Sequence, residues 1–288
     1  AGALSPRIGV TWDPTGSQLW SVTASASKYV AGLLNTIADS TSAGGNPDRY
    51  DFVYSGPSIN ANTSQPLLTT DAALGQMFAW FDANGGITRP ISGTPLLRGV
   101  TAIVGNLKSP SVRELAFGAS RTIGRRLSAR ADFVYRDFND FYAQRTDLTT
   151  GRISDTRSYL PPSIAQANAG RTFDLTIAEN SDVYTRQYAG LTSQATYRTG
   201  SALEVGGSYT VSRTWGNTDG EGFNTGPTLS DLEQYPEYKQ ASWYAPEGDL
   251  AIDQRHRARL WASYAVPGTR GLTLSALQTL ESGVPYGA

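Results

Sequence analysis

The sequence predicts an all-β fold: an antiparallel, up-and-down transmembrane β-barrel fragment of about eight strands in four hairpins, with long extracellular loops and one short loop helix. Three observations predict it. Apolar and polar residues alternate with a period of two, short turns join the strands in pairs, and very long connections separate the pairs. Successive side chains of a strand point to opposite faces, so each alternating segment has one dry and one wet face.

The first pair spans 8–13 and 19–30 around Pro14-Thr15-Gly16-Ser17, with Trp20, Val22, Ala24 and Ala26 alternating with Ser21, Thr23, Ser25 and Ser27. The second spans 112–121 and 127–138 around Gly124. There Leu127, Ala129, Ala131, Phe133 and Tyr135 alternate with Ser128, Arg130 and Asp132, and Val134 is a single breach. The third spans 188–198 and 202–213 around Thr199-Gly200-Ser201, with Leu203, Val205, Gly207, Tyr209 and Val211 on its dry side. The fourth spans 257–266 and 272–281 around Pro267-Gly268-Thr269-Arg270-Gly271, with Ala258, Leu260, Ala262 and Tyr264 dry. Pro, Gly and Ser in gaps this short are hairpin chemistry.

Between the pairs lie polar and aromatic stretches of dozens of residues. Short turns at one end and long loops at the other are the geometry of an outer-membrane barrel. A strand of about 10 residues rises roughly 33 Å and, tilted about 45°, covers roughly 24 Å, the height of the apolar band. Aromatics fall in two tiers: Trp12, Trp20, Tyr197 and Tyr264 near the short turns, and Tyr29, Tyr135, Tyr142, Tyr209 and Trp215 near the long loops. Two bilayer interfaces select such tiers. Inside the first connection, Thr70-Asp71 followed by 72–84 predicts a capped helix with Leu74, Met77, Phe78 and Phe81 on one face and Gly85-Gly86 as its stop. Such a helix either covers part of a barrel mouth or orders a long loop.

Composition excludes several classes. Only 17% of the 288 residues are charged, and the net charge of -1 gives no electrostatic footprint for nucleic acid. With no Cys and a single His, His256, thiolate and clustered-His metal sites are not expected, nor is a cofactor. No apolar run is long enough for a transmembrane helix. Neither a P-loop nor a strand-fed GxGxxG occurs, and no G-x-S-x-G elbow accompanies the lone His, so no catalytic residue is assigned and an enzyme is not expected.

Several phrases carry a resemblance. Ser5-Pro6-Arg7-Ile8-Gly9-Val10-Thr11-Trp12-Asp13-Pro14-Thr15-Gly16 and Asn106-Leu107-Lys108-Ser109-Pro110-Ser111-Val112-Arg113-Glu114-Leu115 are two of them. Asp253-Gln254-Arg255-His256-Arg257 and Glu281-Ser282-Gly283-Val284-Pro285-Tyr286 complete the set. In this order they resemble stretches of TonB-dependent outer-membrane receptors, of the group with an N-terminal carboxypeptidase-regulatory-like domain. The resemblance implies a barrel of about 22 strands holding a plug. It also implies uptake of a scarce large nutrient, driven by the TonB system acting through that plug. On this reading residues 1–288 are a partial barrel, with plug and remaining strands outside it, in the outer membrane of a Gram-negative bacterium and in contact with its lipid and lipopolysaccharide.

Candidate site residues follow from the faces and loops. Arg130, Asp132, Arg136, Glu204, Arg257 and Arg259 are expected on the wet, lumen-facing side, where opposite charges pair across strands. Tyr142, Trp215, Trp243 and Tyr244 are the loop aromatics expected to meet a ligand first. His256 reads as an anchor on a basic rim, near lipopolysaccharide or loop carboxylates, or as a proton or anion site. Asn217-Thr218-Asp219-Gly220-Glu221 reads as a solvated turn with a faint likeness to a calcium loop. Asp137, Asn139 and Asp140 end a strand or hold a cation. Two other classes stay open: a passive small barrel or porin, and a soluble β-sandwich adhesin or carbohydrate-binding module. Further hairpins beyond the chain and the need for detergent separate them.

Overall fold

The computed structural model describes residues 4–32, 49–62, 64–92, 102–103, 106–146, 152–154, 162, 166, 169, 172–174, 176–200, 202–218, 230–231 and 240–285. Eight antiparallel strands follow one another in space in chain order. They are β1 (Arg7–Trp12), β2 (Trp20–Val30), β3 (Ser111–Ile123), β4 (Leu127–Asn139), β5 (Arg186–Thr199), β6 (Leu203–Gly216), β7 (His256–Ala265) and β8 (Thr273–Glu281). A two-residue strand, Gly248–Asp249, pairs with the end of β6. All four predicted hairpins form, with strand ends unchanged or shifted by up to three residues. Short turns need residues in the left-handed region, and Gly124 (φ 60°) and Gly200 (φ 57°) supply it between β3 and β4 and between β5 and β6. The long connections 31–110, 140–185 and 217–255 all leave from the opposite end.

Register aligns the dry residues into rows. One row reads Val10–Ala24–Phe117–Phe133–Leu191–Val211 across six strands. The next reads Trp12–Val22–Ala119–Ala131–Ser193–Tyr209–Ala258–Leu280 across eight. Among the described residues nothing packs on these rows: Val10 is 61% exposed, Phe117 52% and Leu280 55%. Among the described residues no apolar side chain of the eight strands is buried, whereas the side chains that are buried there, of Ser111, Arg186 and Thr214, are polar and lie at the long-connection end. A β-sandwich buries its apolar rows in a second sheet. This sheet is single and open, so the sandwich reading falls.

Two tier aromatics are corrected by register. Tyr29 lies on the wet face, its hydroxyl 3.2 Å from Glu114 Oε1. Tyr142 is in a separate small sheet, where Tyr142–Thr146 pairs with Thr176–Asn180. The predicted helix forms as α1 (Thr70–Ala83), but it starts earlier than expected: Thr69 is the cap, its hydroxyl accepting from the Ala72 amide at 3.3 Å, and Thr70 and Asp71 lie in the first turn. Its packed face is Ala73, Met77, Trp80 and Phe81, while Leu74 and Phe78 are exposed. The aromatics of the preceding segment turn it: Tyr54 meets Trp80 edge-on at 4.7 Å and Phe52 meets Phe81 at 5.1 Å.

Candidate functional site

The wet face carries a ladder of ion pairs. Arg136 sits directly across from Glu114, Nε to Oε2 2.6 Å, and Arg130 pairs with Asp132 two residues along β4, at 2.5 Å. Arg198 meets Glu204 across β5 and β6 at 2.7 Å, and Arg257 meets Glu281 across β7 and β8 at 2.6 Å. Arg259 stands across from Ser208 and Thr279. The structure therefore puts Arg130, Asp132, Arg136, Glu204, Arg257 and Arg259 on one face, opposite the apolar rows. Small residues leave room between them: a side chain on Gly118 would meet the Asp132 carboxylate and the Thr23 hydroxyl at 2.6 Å.

At the long-connection end a second network holds the strand ends. Asp253, 1% exposed, accepts the Thr214 amide at 2.6 Å and the Arg255 Nε at 3.1 Å. Arg255 and Arg213 converge on Asp249 at 2.8 and 2.7 Å. Hydrogen bonding from Arg213 holds the Asp249 carboxyl below its ordinary value, with charge from Arg213 and Arg255 adding to it. His256 lies on the dry face, Nδ1 2.7 Å from the Tyr209 hydroxyl, its ring stacked on Tyr209. Its neighbours Arg255 and Arg257 are the residues that pair with carboxylates.

The loop candidates separate. Tyr142 is 1% exposed, packed with Ala178 and Leu107, and burial pushes its hydroxyl pKa up; it is too enclosed for first contact with a ligand. Trp215 falls on the dry face because β6 runs on to Gly216, tilted against Tyr135 at 6.5 Å with the Arg213 guanidinium over it. That is an interface position, and Trp215 leaves the ligand set. Trp243 (69% exposed) and the half-buried Tyr244 lie in the single turn α2 (Ala241–Tyr244).

Asn217 is a structural hub: its Oδ1 accepts the Thr185 amide at 2.8 Å, and its Nδ2 donates to the Val183 and Ala245 carbonyls at 2.7 and 3.0 Å. Asp219, Gly220 and Glu221 lie outside the described residues. Asp137 accepts from Asn139 and Gln187, while Asp140 accepts from Ser111, so these carboxylates serve different contacts. Among the described residues no group of three or more metal-ligating side chains comes together.

Sequence reasoning missed three features. Asn180 grips the Lys108 backbone from both sides, Oδ1 at 2.7 Å and Nδ2 at 2.8 Å, across a separation that no local pattern reveals. The cleft of about 270 Å³ between α1 and residues 50–54 is the second. Lys28 and Arg113, side by side on the dry face, are the third.

The comparisons fit this geometry. The family described as outer membrane beta barrel domain matches residues 1–286. The chain belongs to that family. The barrel wall thus stands in the outer membrane, and in such barrels apolar rows face lipid while the long connections emerge on the cell exterior. No curated protein matches the chain. Among solved structures it is similar to the FrpB iron transporter of Neisseria meningitidis (F5-1 variant, apoprotein form), with 15% identity and a TM-score of 0.43, covering 95% of this chain and 26% of that one. The outer membrane transporter YddB of Escherichia coli is similar at 13% identity and a TM-score of 0.44, covering 89% of this chain. The chain spans 26% of the length of each.

Proposed function

We propose that this barrel wall belongs to a TonB-dependent outer-membrane receptor, of the group with an N-terminal carboxypeptidase-regulatory-like domain. It takes up a scarce large nutrient. The wet face lines the lumen, where its ion-pair ladder meets a plug, and Trp243 and Tyr244 offer the first aromatic surface to ligand. The observation that carries this reading is the open sheet. In hydrocarbon each unpaired backbone group costs several kcal/mol, so the free edges of β1 and β8 require further strands. More strands enclose a lumen wide enough for a plug.

The four resembling phrases agree with the same reading, and each holds a structural contact: Asp13 with the Thr15 amide, Glu114 with Arg136, Asp253 with the Thr214 amide, and the Ser282 hydroxyl with the His256 amide. The test is the full-length protein in a planar bilayer in concentrated KCl, with binding measured to the periplasmic domain of the energising partner. A plugged receptor stays electrically silent and binds that domain. Steady open-pore current without such binding would instead identify a passive porin.

A further inference from the structure

The dry face should be apolar from rim to rim, and on β2 and β3 it ends in two cations. Lys28 and Arg113 are directly opposite each other in register, on the face that carries Ala26 and Leu115. Like charges so placed repel. Neither side chain has an ion-pair partner among the described residues, although every arginine of the wet-face ladder except Arg259 pairs with a carboxylate. The nearest acid in register is Asp137, across from Arg113, and its oxygens are taken by Asn139 Nδ2 at 3.1 Å and Gln187 Nε2 at 3.4 Å.

Lys28, Arg113 and Asp137 line a cleft of about 510 Å³ whose floor is Ile8, Ala26, Leu115 and Tyr135, so the two cations outweigh the one carboxylate on this face. Its height follows from the strands. On β3 the outward residues run Arg113, Leu115, Phe117, Ala119, Arg121, so Arg113 and Arg121 are eight residues apart. At about 3.4 Å per residue and a tilt of about 45° they are roughly 19 Å apart along the membrane normal. Arg121 lies over the Trp20 ring at 4.7 Å, the pairing of a lower interface. Lys28 and Arg113 therefore stand at the upper interface, at headgroup level.

We propose that Lys28 and Arg113 form a binding site for the phosphate of an outer-leaflet glycolipid, whose acyl chains lie on Ile8, Ala26 and Leu115. The charge is complementary, the site is desolvated on its lipid side, and an apolar floor directly under a cation pair suits an amphiphile better than a free anion. The inference rests on the outer-membrane placement and is independent of the transport reading.

The test compares the full-length protein with the Lys28→Gln/Arg113→Gln variant, purified in detergent with added lipopolysaccharide, by native mass spectrometry of retained lipid. Two interfacial cations at about 1 kcal/mol each correspond to about 30-fold weaker retention in the variant. Arg125→Gln, at the opposite end of the sheet, should retain lipid like the parent. Equal retention by parent and double variant overturns the proposal. So does saturation of the parent by inorganic phosphate alone, since that makes the ligand a free anion. A loss of stability in the double variant that is as large in zwitterionic vesicles as in vesicles containing lipopolysaccharide also overturns it, because the cations would then serve another part of the chain.

Discussion

Replacing Ala131 by Arg tests the facing of the whole sheet. Ala131 is four residues above Leu127 on β4, in an outward row that runs to Tyr135. At about 3.4 Å per residue and a tilt of about 45°, it stands roughly 10 Å up a row roughly 19 Å tall, close to the midplane. Its flanking partners are Ala119 and Ser193, which neither obstruct a long side chain nor offer it a carboxylate. An arginine facing lipid at that depth costs about 2–4 kcal/mol, or about 30- to 700-fold in the unfolding equilibrium. The same residue at Ile123, near the lower rim, should cost about 0–1 kcal/mol. Thr192 gives the control, because it faces the other way, across from Asp132 and Thr210; Thr192→Arg gives up one hydroxyl hydrogen bond to Thr210 and should cost about 0.5–1.5 kcal/mol. Urea titration of the protein folded into phospholipid vesicles, followed by tryptophan fluorescence, reads all three. If Ala131→Arg and Thr192→Arg cost the same, the assignment of faces is wrong.

Four further outcomes are expected. Gly206→Val sets a side chain into the space held by the Trp261 ring, and overpacking of about 1–3 kcal/mol should lower the urea midpoint; an unchanged midpoint argues that Trp261 does not lie on Gly206. Asp253→Ala strips the buried Thr214 amide of its acceptor, costing about 1–3 kcal/mol and speeding proteolysis within 245–255, with Asp253→Asn milder. Folding lowers the Asp249 carboxyl below its ordinary 3.8, so its pairing with Arg213 and Arg255 adds stability above that value, and the gain is lost as pH falls through the lower folded value. Hydrogen exchange near 245–255 should therefore rise at acid pH in the parent and show no such step in Asp249→Asn. Trp80→Ala removes the partner of Tyr54 and Arg89, and exchange should rise across 50–91 while the strands stay protected.

The strands were legible because their dry residues answer to lipid, a uniform partner that asks only for period two. Leu127 to Tyr135 and Leu203 to Val211 keep that period without help from tertiary contacts, and their register follows from short turns. The loops were not legible for the converse reason. Which face α1 packs depends on Phe52 and Tyr54, eighteen and sixteen residues before the helix begins, and nothing in the period of Leu74, Met77, Phe78 and Phe81 encodes them. Tyr142 reads as a loop aromatic by position, yet Tyr142–Thr146 pairs with a strand over 30 residues away and buries it. Trp215 was misplaced by a boundary: extending β6 to Gly216 puts it on the parity of Val211. Lys28 and Arg113 lie in plain view in the sequence. Their significance appears only when β2 and β3, separated by a connection of dozens of residues, are set in register.

The two faces of the sheet constrain the surroundings jointly. The ladder pairs are too exposed to hold the fold: Arg198 and Glu204 are 67% and 36% exposed, and pairs of this kind contribute about 0–1 kcal/mol. Such charges persist only where water reaches them, since dry burial would cost far more than pairing returns. The opposite face makes the reverse demand, with large apolar side chains standing half or more exposed and no protein layer over them. Water on both sides would drive those rows together or into another chain, and hydrocarbon on both sides would strand the ladder. Only a wall with water behind and lipid in front meets both demands at once. The cations at its two rims, Arg121 below and Lys28 with Arg113 above, set how far that lipid reaches.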